Sequence, residues 1–170
     1  AGGHVTLAAL ALAKLCRDTL FADGIKAVTA AKQGLCTAAV ENIIEANTYL
    51  SGIGFESGGL SAAHAIHNGL TILPECHAML HGEKVAFGTV SQLVLENRAL
   101  DEIEQVIGLC KAVGLPITLK EVGLGGVSDE KLLAAAKASC AENDTMGNMP
   151  FAVSPEAVLA AMKTADRLAQ

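Results

Sequence analysis

Apolar side chains recur along most of this sequence at the three- and four-residue spacing of α-helices. Between residues 36 and 51, Ala39, Ile43, Ala46 and Leu50 follow that spacing and predict a helix with one buried face. No segment shows the two-residue alternation of a half-buried β-strand. The pattern therefore predicts an all-α, helical bundle-like fold with no βαβ nucleotide-binding unit within these residues.

Helix propensity and the start and stop signals divide the chain further. Helices are predicted at about residues 5–22, 24–33, 36–51, 58–70, 81–97, 101–113, 128–140 and 155–169. Asp23-Gly24 predicts the end of the first helix, and Ser57 predicts the cap of the fourth. We interpret residues 1–170 as a single domain.

The first predicted helix is unusual because it is apolar on every side from Leu7 to Ala13. Such a helix is typical of a protein core. At the start of a domain it indicates that an upstream partner, which would cover it, is missing from the chain. The run is also far shorter than the roughly 20 residues that span a bilayer.

Composition narrows the function classes. The formal net charge is -6, and no run of Lys or Arg exceeds one residue, which argues against a nucleic-acid partner. Aromatic residues make up only 3% of the chain although 51% of it is hydrophobic, so the core must consist of Ala, Leu, Val and Ile. The five cysteines are odd in number and form no CxxC pair, which predicts reduced, mostly buried thiols and a cytoplasmic protein.

The candidate chemistry lies in a histidine cluster. His64, His67, His77 and His81 fall within eighteen positions, and the chain has only five histidines. A spacing of three places His64 and His67 on the same face of a helix. His81 begins the next predicted helix. Two imidazoles from neighbouring helices, with open positions left over, resemble a catalytic metal site more than a closed structural one.

An ordinary role remains open for each of these residues. Taken singly, a histidine is more often a hydrogen-bonded core or surface residue than a ligand, and we interpret His77 and His4 as surface residues. Glu56 and Glu83 flank the cluster and would either orient an imidazole or serve as solvated early-helix carboxylates. Phe55 is either a packing residue or a wall of a substrate pocket.

A glycine-rich stretch beside the cluster also has two interpretations. Ser57 with Gly58-Gly59 would expose free N–H groups at a helix start, which is a weak anion-site motif. The glycines are as readily explained by turns and packing.

The segment 43–97 resembles the C-terminal helical domain of NAD-dependent glycerol dehydrogenases, members of the iron-containing alcohol dehydrogenase superfamily. The resemblance rests on IIEANTYLSGIGFESGG (43–59), AAHAIHNGL (62–70) and HGEKVAFG (81–88). The HGE motif is shared with dehydroquinate synthases and glycerol-1-phosphate dehydrogenases. The combination of ESGG with AHAIHNG is more specific to glycerol dehydrogenases.

The resemblance implies roles for four residues. The first histidine of AHAIHNG and the histidine of HGE bind a catalytic divalent metal, usually zinc, which assigns the ligands to His64 and His81. His67 would lie near the reacting carbon as a catalytic residue without being a ligand, and Phe55 would line the small polyol pocket. The third ligand in the family is an aspartate upstream of this chain, and the nucleotide-binding domain is also absent.

The function implied for the complete enzyme is reversible oxidation of glycerol, or a similar vicinal diol, to the hydroxyketone with NAD as acceptor. We expect a homo-oligomer that acts on a small polyol, with no nucleic acid or membrane partner, and we expect the fragment alone to be inactive. Relatives with phosphate-bearing substrates are an alternative, but Lys84 is the only basic residue between His64 and Asn97. A non-catalytic helical metal-binding module is the other alternative. Gly147 stands where many members of that family have a histidine just before Asn-Met-Pro.

Overall fold

A computed structural model describes residues 4–170 of the protein. This part of the chain is helical and contains no strand, so the all-α prediction is confirmed. The helices are α1 (Leu7–Ala31), α2 (Ala38–Glu45), α3 (Ser51–Gly58), α4 (Ala62–Leu70), α5 (His81–Leu95), α6 (Leu100–Val113), α7 (Asp129–Ser139) and α8 (Pro155–Leu168). A π-helical turn, Ala46–Leu50, joins α2 to α3, and 3₁₀ turns form at Pro74–Cys76 and Thr145–Asn148.

The chain divides into two compact units. The first extends to Gly59 and the second runs from Leu60 to Gln170. That residues 1–170 form a single domain stays a prediction, and each unit is described by itself.

The first unit is organised around α1, which is longer than the sequence predicts. The helix continues through Gly24, so the predicted stop at Asp23-Gly24 is wrong and the predicted first and second helices are one. The Asp23 carboxylate forms an ion pair with Lys26 on the same helix and accepts a hydrogen bond from Asn42 Nδ2 of α2 at 2.7 Å, and neither contact stops the helix. The helix ends before Gly34, whose φ of +70° reverses the chain.

The segment from α2 to α3 is one continuous helical stretch that passes through the π-helical turn. Ala46 and Leu50 are buried, as the predicted stripe requires, while Ala39 and Ile43 are half-buried. Ser57 lies inside the last turn of α3 and does not cap the next helix. The prediction of a cap and an anion site at Ser57 is therefore wrong, because a glycine pair here ends a helix instead of starting one.

The first helix is not buried within the chain. Leu7 and Leu15 are 89% and 53% exposed, while the buried positions of α1 are the small residues Ala9, Gly24, Ala27 and Ala30. Because small residues let helices approach closely, α1 packs on its neighbours through them and its larger apolar side chains face outward. The large apolar side chains of α1 are thus uncovered within the described residues, and the missing upstream partner stays a prediction.

The second unit holds the histidine-bearing helices. Helix α4 packs against α5 and α7, and α8 packs against α5 and α7. The core between them contains Ile66, Leu70, Phe87, Val158 and Met162, each 0% exposed. A second group of buried residues lies where α5 and α6 meet, and it includes Val90, Ile103 and Ile107.

Several predicted helix ends are confirmed in this unit. Helix α5 begins at His81, α6 ends at Gly114 with a left-handed φ of 85°, and α8 begins with the Ser154 hydroxyl accepting from Ala157 N at 3.2 Å. The spacing of Asp101 and Glu104 predicts a capping box at the start of α6, and this prediction is wrong. Helix α6 starts at Leu100, so Asp101 already lies within its first turn.

The cysteines are all unpaired, as predicted, but they are not mostly buried. Cys76 and Cys110 are buried, Cys16 and Cys140 are half-buried, and Cys36 is exposed. Among residues 4–170, no helix has the length and apolar character needed to cross a membrane.

Candidate metal centre

Three of the five histidines meet in the second unit. His64 and His67 lie on α4, and His81 is the first residue of α5. The His81 ring centroid is 5.3 Å from that of His64 and 4.3 Å from that of His67, with interplanar angles of 44° and 65°. His77 is exposed and its Nε2 lies 2.9 Å from the Thr71 carbonyl oxygen, and His4 is exposed too, which confirms both surface interpretations.

The close packing of α4 on α5 brings these rings together. A Cβ at Gly88 would lie 2.4 Å from the Ala63 carbonyl oxygen, so only glycine lets α5 approach α4 this closely. The Gln92 side-chain oxygen on α5 accepts a hydrogen bond from Ala63 N at 2.8 Å. The two contacts fix α5 against the first turn of α4, one turn before His67.

The start of α5 is fixed by its own sequence. The Glu83 carboxylate accepts from Leu80 N at 2.7 Å and so satisfies a backbone donor at the helix start. Of the two roles left open for Glu83, the early-helix carboxylate is the one the structure supports. Glu56 is exposed on α3, in the other unit.

The electrostatics of the site favour the neutral imidazole at His64 and at His67. Burial lowers the pKa of His64, and the charges of His81 and His67 lower it further. Burial also lowers the pKa of His67, although its hydrogen bond to Asn68 acts in the opposite direction. A neutral imidazole has the free lone pair that metal binding requires.

The geometry of one histidine pair fits a shared metal ion. Zinc binds a histidine nitrogen at about 2.0–2.1 Å, and two rings on one tetrahedral ion have centroids roughly 5 Å apart. The 5.3 Å separation of His64 and His81 is near this value, whereas the 4.3 Å between His67 and His81 is shorter. Within residues 4–170, no three His, Cys, Asp or Glu side chains are arranged to hold a metal. The pair would therefore need a further ligand.

His67 has a polar connection that the sequence did not predict. Its Nδ1 lies 3.0 Å from Asn68 Oδ1, and Asn68 Nδ2 donates to both carboxylate oxygens of Asp144, at 3.2 and 3.1 Å. Asn68 and Asp144 are 76 positions apart, so no local spacing in the sequence signals their contact.

Lys84 is a second residue whose setting the sequence did not predict. It is only 7% exposed, and within the described part of the chain its ammonium forms no hydrogen bond or ion pair. The charge of Lys84 lies near enough to lower the pKa of His67, for which burial is the larger cause. The Lys84 stem is thus buried beside the histidine cluster, while its ammonium nitrogen still reaches solvent.

We expect Lys84→Met to leave the fold intact and to change the free energy of unfolding by no more than about 0.5 kcal/mol, since the long side chain keeps its packing and the ammonium that it removes reaches solvent. Lys137→Met, at an exposed position of α7, is the matched control and should change stability by no more than about 0.5 kcal/mol. Urea unfolding of both variants measures this. A loss of stability in Lys84→Met alone would mean that the ammonium has a stabilising partner.

Two further positions that the sequence singles out are exposed. Phe55 is on α3 in the first unit and is 48% exposed. Gly147 is exposed in the 3₁₀ turn Thr145–Asn148, and a Cβ there would meet nothing within 4 Å, so a side chain fits. A surface cavity of about 650 Å³ in the second unit is lined by residues that include Leu124, Lys163 and Arg167 and contains none of the histidines.

Comparison with known proteins identifies the chain. No family model matches it. It is 62% identical to the glycerol dehydrogenase of Citrobacter freundii over 170 residues, which is 100% of this chain and 47% of that protein. The solved structure of glycerol dehydrogenase from Schizosaccharomyces pombe matches with a TM-score of 0.95 and 42% identity, over 99% of this chain and 43% of that one. A probable glycerol dehydrogenase from Sinorhizobium meliloti 1021 matches with a TM-score of 0.94 and 47% identity, over 97% and 46% of the two chains.

These similarities and the helical fold define the chain as the all-α, C-terminal domain of a dehydrogenase. The chain spans about half the length of the curated relatives it matches. It belongs to the glycerol dehydrogenase family.

Proposed function

We propose that this chain is the metal-binding domain of an NAD-dependent dehydrogenase that oxidises glycerol, or a similar vicinal diol, to the hydroxyketone (dihydroxyacetone from glycerol). The observation that carries the proposal is the convergence of His64, His67 and His81 in a chain that is 62% identical, along its whole length, to a glycerol dehydrogenase. The activity belongs to the longer protein, and we expect the 170 residues alone to be inactive.

His64 and His81 are the proposed metal ligands. The separation of their rings and the neutral state favoured for His64 suit a divalent cation such as zinc, with the third ligand supplied by an aspartate outside this chain. A divalent metal bound here would supply a Lewis acid that polarises a substrate hydroxyl. The two histidines would hold that metal in a defined place, because α4 and α5 approach closely at Gly88.

The remaining roles concern the substrate and the dinucleotide. His67 is the proposed catalytic residue near the reacting carbon, and Phe55 is the proposed wall of the polyol pocket. NAD would accept hydride while bound by residues outside this chain, since residues 4–170 form no strand. Homo-oligomeric assembly stays a prediction from the family resemblance, and a cytoplasmic location stays a prediction from the cysteine content.

The alternatives are less well supported by the site. A phosphate-bearing substrate calls for several accessible basic groups, and Lys84, the one lysine near the histidines, is buried. A closed structural metal site needs four ligands. The described residues supply only a pair with suitable geometry.

Glycerol-dependent reduction of NAD by the full-length protein, with and without a chelator, tests the proposal. We expect activity that a chelator removes and that added zinc restores. Glycerol 1-phosphate and other phosphorylated polyols should be poor substrates under the same conditions. Turnover of phosphorylated polyols alone, or turnover of glycerol that survives complete metal removal, would refute it.

A further inference from the structure

We propose that Asn68 and Asp144 are positioning residues that hold His67 as its Nδ1–H tautomer and leave Nε2 free to accept a hydrogen bond from a substrate hydroxyl. The substrate part of this inference rests on the proposed function. The tautomer part concerns only three side chains of this domain and can be tested separately.

Thr145 holds the Asp144 carboxylate in place. The carboxylate Oδ1 accepts from Thr145 N at 2.6 Å and from Thr145 Oγ1 at 3.2 Å, which holds the carboxylate at the start of the 3₁₀ turn. Both of its oxygens face Asn68 Nδ2, at 3.2 and 3.1 Å. An ionised carboxylate can only accept hydrogen bonds, so the amide nitrogen of Asn68 must point toward Asp144.

The orientation of the Asn68 side-chain amide determines which ring nitrogen of His67 carries the hydrogen. With its nitrogen directed at Asp144, Asn68 turns its side-chain carbonyl oxygen toward His67, 3.0 Å from Nδ1. That oxygen is also only an acceptor, so Nδ1 must carry the hydrogen. A neutral imidazole has one ring proton, and Nε2 is therefore a bare nitrogen with a free lone pair.

The His67 ring lies next to a proposed metal ligand. It is 4.3 Å from the ring of His81, so its free lone pair belongs to the same cluster. A diol bound there presents hydroxyl donors. The Nδ1–H tautomer accepts from such a hydroxyl, whereas the opposite tautomer presents a competing donor at Nε2.

Asn68 alone does not determine the tautomer. It is exposed and adjacent to His67 on α4, and an unrestrained amide can rotate by half a turn to present either its oxygen or its nitrogen. Asp144 supplies the constraint from a distant part of the chain. The pair thus resembles the carboxylate that orients a catalytic histidine in hydrolases, with an amide placed between the two groups.

Asp144→Asn tests the constraint with an isosteric side chain. The substituted amide can donate to Asn68, which lets the Asn68 amide rotate and favours the Nε2–H tautomer of His67. Long-range ¹H–¹⁵N NMR of histidine-labelled full-length protein, at a pH where the ring is neutral, identifies which nitrogen carries the hydrogen. A His67→Gln sample assigns the signal. We expect Nδ1–H in the parent protein, substantial Nε2–H in Asp144→Asn, and kcat for glycerol reduced ~10-fold with little change in KM.

The double variant Asn68→Asp with Asp144→Asn is the rescue. It exchanges the two groups, so the introduced carboxylate accepts both from His67 Nδ1–H and from the introduced amide. We expect the Nδ1–H signal and most of kcat to return. A purely structural role for the pair would not produce recovery of the tautomer together with kcat.

The NMR and kinetic results decide different parts of the inference. An Nε2–H ring in the parent protein, or the same tautomer in the parent and in Asp144→Asn, would overturn the positioning role. A tautomer change with unaltered kcat would overturn the substrate contact. If the parent protein oxidised no diol at all, the proposed function would fall, and the substrate contact with it, while the NMR comparison would still decide the tautomer.

Discussion

Replacing His64 or His81 with alanine is expected to remove the bound metal from the full-length protein and to lower kcat/KM for glycerol by more than ~100-fold. Loss of a residue that merely supports a ligand already costs roughly 10–100-fold, and loss of a ligand should exceed this. Only two ligands are proposed within this chain, so each one removed leaves a site too weak to keep the ion. Metal content by atomic emission, measured beside steady-state kinetics, gives both readouts.

Two other histidine variants are the controls for this prediction. His4→Ala, at an exposed position in the other unit, should change neither metal content nor activity. His67→Ala should keep the metal and lose activity, since His67 is proposed to contact substrate without being a ligand. Metal loss in His67→Ala with retention in His64→Ala would contradict the ligand assignment.

Gly88→Ala is expected to lower the free energy of unfolding by about 3 kcal/mol, the upper end of the cost of overpacking. The added methyl would lie 2.4 Å from the Ala63 carbonyl oxygen, which belongs to backbone in the first turn of α4 and cannot rotate away. The stabilisation of about 1 kcal/mol that alanine usually gives a helix is too small to offset this clash. Because relief requires α5 to move away from α4, metal affinity should fall as well.

Gly108→Ala is the matched control for Gly88→Ala. Gly108 lies on an exposed position of α6, and a Cβ there would meet nothing within 4 Å. This variant should be neutral or more stable by up to about 1 kcal/mol. Urea unfolding compares the two. Equal stability changes in the two glycine variants would show that α4 and α5 do not depend on the close approach at Gly88.

The predictable part of the fold is the part governed by local backbone chemistry. Gly114 ends α6 in the left-handed conformation that glycine adopts readily, and Ser154 with Pro155 begins α8, as their positions in the sequence indicate. The failures have tertiary causes. Gly24 interrupts a helical sequence that packing keeps helical. Ser57 with its glycine pair predicts a helix start, but glycine pairs also end helices, as this one ends α3.

In the candidate site, too, local features could be predicted from the sequence and tertiary contacts could not. The spacing of His64 and His67 follows from helix geometry, so their shared face was predictable. The approach of His81 depends on the contact of α5 with Ala63, and the Asn68–Asp144 pair joins residues far apart in the chain. Burial of Lys84 is likewise set by surrounding helices, since lysine is ordinarily an exposed residue.

Anomalous X-ray diffraction from crystals of the full-length protein, recorded on both sides of the zinc absorption edge, tests the central claim most directly. The account predicts one zinc peak per chain within about 2.0–2.1 Å of a ring nitrogen of both His64 and His81, with His67 outside coordination distance. A zinc peak bound by His67 and His81 without His64, or zinc-loaded crystals with no peak at these histidines, would contradict it.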